Sequence, residues 1–138
     1  MKEITKLMIN EFKVKELGYD FMGYTLQKGD IYTFHHLIIP KRDGGLITRE
    51  NGAILCGSSS HPYLHLIEHK DEEIFYRITS EMIDQNIKGC LDVKNLKKIK
   101  DLLLYFEREH CNDVGKKGNI LIKKDYVENR FSWCLDKN

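Results

Sequence analysis

The strongest constraint on the fold is a pair of short β-forming runs, separated by breakers and followed at once by a helix start. Tyr32-Thr33-Phe34-His35-His36-Leu37-Ile38-Ile39 is rich in aromatic and β-branched residues and stops at Pro40. Lys41-Arg42-Asp43-Gly44-Gly45 reads as a loop, and Ala53-Ile54-Leu55-Cys56 as a short returning strand. Gly57-Ser58-Ser59-Ser60 breaks that strand, and His61-Pro62 follows. Proline is favoured at the first helical position, where an N–H would have no partner in any case. A helix is therefore expected from Pro62, with Ser60 or His61 as its cap. The order strand, loop, strand, helix is a ββα unit.

Around this unit the periodicity changes. Ile4, Leu7, Met8, Val14 and Leu17 give a rough helical spacing over residues 3–17, closed by Gly18. Residues 21–28 and 31–39 read as strands about a turn at Lys28-Gly29-Asp30. Ile74, Ile78, Met82 and Ile83 predict a helix over 72–88 that ends at Gly89, and Leu96, Ile99, Leu103 and Phe106 predict another over 94–110. A short last helix is expected over 119–130, with Phe131 and Trp133 docking the tail. The expected class is α+β, one domain over 1–138 with an N-terminal helix and a helical C-terminal half.

Composition excludes more than it selects. Lys and Arg total 22 against 21 Asp and Glu, so the net charge of +1 creates no field that by itself calls for nucleic acid. Lys94, Lys97, Lys98 and Lys100, with Lys116-Lys117 and Lys123-Lys124, read as solvated faces before they read as backbone-tracking patches. No apolar run is long enough to span a bilayer, and Met1-Lys2-Glu3-Ile4-Thr5-Lys6 lacks the apolar core of a secretory signal. Cys56, Cys90, Cys111 and Cys134 form no CxxC pair, so reduced thiols and a cytoplasmic location are expected, without a structural zinc.

The chemistry concentrates in the ββα stretch. His61 and His65 are four apart, as are His65 and His69, so either pair can share one helix face and one metal. His35 and His36 point to opposite sides of an extended strand. One can then bind a metal while the other faces a substrate as a base. Each pair alone is weak, because neighbouring histidines arise by chance in a chain with 6 of them. Asn51 alone reads as a turn residue.

Taken together, Phe34-His35-His36-Leu37-Ile38-Ile39-Pro40, Gly44-Gly45, Glu50-Asn51-Gly52 and His61-Pro62-Tyr63-Leu64-His65 resemble the motif of the HNH endonucleases, in the branch that contains the colicin nucleases. The resemblance covers about residues 31–69, leaving a helical extension over about 70–130. It implies a ββα-metal core and hydrolysis of phosphodiester bonds in DNA. His36 matches the general base and Asn51 the residue that holds the base-bearing loop. His35, His61 and His65 match the ligands of one divalent metal, and Lys41 and Arg42 stand where phosphate would bind. Two departures from the pattern are visible. The second cysteine that follows Leu-Cys in many of these proteins is missing after Leu55-Cys56, and the gap from Asn51 to His61 is one residue longer than in the colicin branch. The longer gap leaves a second register open, with His65 and His69 as ligands and His61 at the helix start. Three imidazoles favour Zn²⁺, Ni²⁺ or Mn²⁺ over Mg²⁺. The alternative expectation is a non-catalytic protein on the same scaffold, binding DNA or a protein partner through its helical half, as a phage or mobile-element regulator or anti-defence inhibitor would.

Overall fold

The computed structural model describes residues 2–110. Its class is α+β: five α-helices and a two-stranded antiparallel hairpin among the described residues. The helices are α1 (Glu3–Glu11), α2 (Val14–Leu17), α3 (Ser60–Lys70), α4 (Glu72–Lys88) and α5 (Val93–His110), and the strands are β1 (Tyr32–His36) and β2 (Gly52–Cys56). No helix among these residues is long and apolar enough to cross a membrane. The helix expected over 119–130, the aromatic tail, Cys111, Cys134 and the lysine pairs at 116–117 and 123–124 lie outside the described residues.

The helix expected over 3–17 is two helices. Phe12 and Val14 are both buried, yet two positions on one helix point to nearly opposite faces. The chain turns at Lys13, in the left-handed region at φ 55°, so that both side chains reach the core. Gly18 ends α2 in the left-handed conformation, as a C-cap glycine does.

Residues 21–28 do not form a strand. Phe21, Met22 and Tyr24 are fully buried without the alternation that a half-buried strand needs. Phe21 N donates to Ile54 O of β2 at 3.1 Å, but the next amides serve a side chain, since Met22 N and Tyr24 N donate to Asp20 Oδ1 at 3.0 Å each. The other oxygen, Oδ2, accepts from Cys56 N at 3.0 Å and from the Ser60 hydroxyl. Desolvation raises the pKa of this fully enclosed carboxyl, and those four bonds oppose the shift. Asp20 thus ties the end of β2 to the first residue of α3.

The strand expected over 31–39 stops at His36. The next amides are captured by Asn51, whose Oδ1 accepts from Ile38 N at 2.8 Å and Ile39 N at 2.9 Å. In the hairpin, Thr33 pairs with Leu55, His35 with Ala53 and His36 with Gly52. Helix α3 begins at Ser60 and not at Pro62. Pro62 still lies in the first turn, where its missing donor costs nothing. Helix α4 is capped by Asp71, whose side chain accepts from Ile74 N, and closes at Gly89 in the left-handed region. Ile74, Ile78 and Met82 of α4 and Leu96, Ile99, Leu103 and Phe106 of α5 are buried in one core with β2 and α3.

Candidate metal centre and adjoining base

Strand β1 sorts its side chains by the two-residue period of an extended chain. Thr33 and His35 face α3, where His61 and His65 stand one turn apart. The three imidazoles converge, with one potential ligand atom from each lying within 4.8 Å of the others. The His35 ring meets His61 at 5.1 Å and His65 at 5.5 Å between centroids, and His61 stacks on His65 at 4.9 Å. His69 is exposed and outside this group, so the register with His65 and His69 as ligands is not the one the fold assembles.

Hydrogen bonding fixes which ring nitrogens are free. The Thr33 hydroxyl donates its single proton to Leu55 O at 3.0 Å. It must then accept from His61 Nδ1, 2.6 Å away, so the proton of neutral His61 sits on Nδ1 and Nε2 is bare. Glu68 Oε1 lies 3.3 Å from His65 Nδ1. A carboxylate only accepts, so His65 too presents Nε2. Metal-binding histidines commonly have their second nitrogen held in this way, by a hydroxyl, carbonyl or carboxylate.

His61 Nε2 faces His35 Nδ1 at 3.4 Å. Two nitrogens sharing a tetrahedral zinc at about 2.0–2.1 Å stand about 3.3–3.4 Å apart. His35 Nε2, enclosed by protein, has no hydrogen-bond partner among the described residues. His35 is therefore not a core histidine satisfied by its neighbours. Burial, then the neighbouring imidazoles, push His35 down to about 3 and His61 down to about 4, so both stay neutral with lone pairs available at neutral pH. These features fit a divalent transition metal that the three imidazoles would hold, with half-exposed His65 on the solvent side of the group.

His36 lies on the other face of β1, beside Phe34, whose ring meets it edge-on at 4.9 Å. Its ring is hydrogen-bonded to the Gly45 backbone, while Nε2 has no partner among the described residues. Desolvation, followed by the charge of Lys41, lowers its pKa against the effect of the Gly45 bond. The loop that holds Gly45 is clamped by Asn51. Besides the two amides at its Oδ1, Nδ2 donates to Ile39 O at 3.0 Å and Leu46 O at 3.1 Å, which uses the whole bonding capacity of the carboxamide. Position 45 admits only glycine, because a Cβ there would strike the Ile39 carbonyl.

Both histidine faces open on one cleft of about 900 Å³ that is also lined by Lys41 and Arg42. These two cations sit on a short 3₁₀ turn, Lys41–Asp43, and are exposed. Sequence reasoning missed three residues that position the site: Thr33, Glu68 and Asp20. Thr33 is two before His35 and Glu68 three after His65, which are the spacings that share a strand face and a helix face. That signal was present for these two. Asp20 has local partners in Met22 N and Tyr24 N, but its bonds to Cys56 N and Ser60, 36 and 40 residues away, have no local signal. Comparison of the chain with protein-family models, with curated proteins and with solved structures finds no match.

Proposed function

We propose that this chain is a metal-dependent endonuclease of the HNH class, hydrolysing phosphodiester bonds in DNA. One observation carries the reading. Three imidazoles converge beside one face of β1, while the residue after His35, His36, lines the same cleft from the other face and has a buried Nε2 without a partner among the described residues. In this scheme His36 Nε2 takes a proton from the water that attacks phosphorus, as the P–O bond to the leaving 3′ oxygen breaks. Its lowered pKa keeps it unprotonated, and so competent as a base, at neutral pH. Gly45 and the Asn51 clamp hold the ring in place. Lys41 and Arg42 orient the phosphate through its non-bridging oxygens. A divalent ion held by His35, His61 and His65 supplies a Lewis acid that offsets charge building on the leaving oxygen.

The test is nicking of supercoiled plasmid by the full chain with added Zn²⁺, Ni²⁺, Mn²⁺ or Mg²⁺ and with EDTA. Metal-dependent nicking is expected, abolished by EDTA and reduced about 100- to 10,000-fold in His36→Ala, the range for loss of a general base. Equal nicking by both proteins would remove His36 from the chemistry.

A further inference from the structure

The histidines are not the whole lining of the cleft. It is also lined by Phe75, Tyr76 and Thr79 of α4, by Thr5 of α1 and by Lys2 ahead of α1. Tyr76 is 58% exposed and packs edge-on against Phe75, 5.5 Å between ring centroids, so a large aromatic face stands in solvent. Thr79 is only 6% exposed, yet its hydroxyl has no hydrogen-bond partner among the described residues. A helical threonine usually settles this by bonding to the carbonyl one turn back, and Thr79 does not. A buried hydroxyl left in this state is a deficit that a polar ligand atom would relieve. The rim is basic through Lys2, Lys41 and Arg42, and of the two carboxylates along it, Asp43 and Glu68, the latter is engaged by His65.

An aromatic face for stacking, a hydroxyl for a base edge and cations for the backbone are the parts from which single-strand sites are built. A volume of about 900 Å³ suits one or two unpaired nucleotides. It falls within the ~300–1,000 Å³ of small-ligand sites. A duplex instead meets protein over broad surfaces of about 1,000–2,500 Å². We infer that the cleft binds an unpaired DNA strand, with the scissile phosphate at the histidines and a neighbouring base stacked on Tyr76 and bonded to Thr79. This rests on the phosphodiesterase reading for the histidine end. The stacking end makes a binding prediction of its own.

The experiment is fluorescence anisotropy with a labelled single-stranded DNA oligonucleotide and the duplex of the same sequence. The full-length His36→Ala protein is used, so that cleavage does not interfere, alone and combined with Tyr76→Ala, Tyr76→Phe or Thr79→Val. The single strand is expected to bind at least tenfold more tightly than the duplex. Tyr76→Ala should weaken single-strand binding about tenfold, within the range for one lost base stack, and leave duplex binding unchanged. Tyr76→Phe should retain affinity, and Thr79→Val should weaken it severalfold without unfolding the protein. Equal affinity for both DNAs, no binding of either, or an unaffected Tyr76→Ala protein would overturn the inference. If the unsubstituted chain cleaves DNA but shows one of those outcomes, the nuclease reading survives and this one falls. Selective single-strand binding without any metal-dependent cleavage by the unsubstituted chain would do the opposite, keeping the strand-binding cleft and removing the nuclease.

Discussion

Adjacent histidines on the two faces of β1 are treated by the fold in opposite ways. On the Thr33 face, His35 is packed against two other imidazoles, and polar groups run in a chain from Leu55 O through Thr33 and His61 to His35, with Glu68 behind His65. On the Phe34 face, His36 has an aromatic edge beside it, the Gly45 backbone at its ring and an unpartnered Nε2. A crowd of imidazoles suits a cation. A solitary imidazole with one nitrogen tethered suits proton transfer. The period of the strand therefore separates the two rings, and the proposed division of tasks rests on that separation.

That comparison breaks in stages. Outside the histidines of the cleft, the largest expected effect comes from Asn51→Ala, which removes four hydrogen bonds from the loop carrying the Gly45 contact. Cleavage should fall about a hundredfold, because a displacement of about 1 Å at a reacting group has that cost. Zinc affinity, set on the other face, should hold. A comparable fall in zinc affinity, measured by calorimetry, would show that the two faces are one unit. Next is Thr33→Val, which deletes the acceptor for His61 Nδ1–H while keeping the shape. Zinc affinity should drop about 10- to 100-fold, and unchanged affinity would mean that Thr33 does not orient the ring.

A smaller effect separates the faces by pH. His35 and His61 are neutral in the fold down to about pH 3 and 4, whereas an unfolded histidine protonates near 6.5. The folded pKa values lie below the unfolded one, so the unfolded state binds more protons as pH falls beneath 6.5. This contribution is full above that value and shrinks below it. The metal-free protein should lose roughly 2–4 kcal/mol between pH 7 and pH 5 in urea unfolding. A His35→Gln variant should lose correspondingly less over the same interval, and parallel curves would contradict the burial of a neutral ring. Smallest is His69→Ala, expected to change zinc affinity by less than about twofold, because His69 is exposed outside the cluster.

Much of this arrangement was legible in the sequence where local rules govern. The apolar period of α4 and α5 and the glycine stops at Gly18 and Gly89 need only neighbours along the chain. The hairpin was legible for the same reason, and so was the sorting of His35 from His36. What was not legible depends on groups that meet only after folding. Residues 21–28 have strand composition, but after Phe21, whose N–H donates to Ile54 O of β2, the Asp20 carboxylate takes the Met22 and Tyr24 amides and no ladder continues. The break at Lys13 follows from burying Phe12 and Val14 together, which the 3.6-residue period shows only once both are known to be core. The choice of His61 over His69 was open because the longer gap before His61 shifts the count. The fold gathers His61 and His65 with His35 and leaves His69 outside that group.

The division of labour across β1 is tested most directly by zinc binding and DNA cleavage measured side by side on His35→Ala and His36→Ala. His35→Ala should lose both. His36→Ala should bind zinc as the unsubstituted protein does, with X-ray absorption showing three imidazole nitrogens at about 2.0–2.1 Å, and should fail to cleave. A His36→Ala protein that loses zinc as completely as His35→Ala, or that still cleaves, would contradict it.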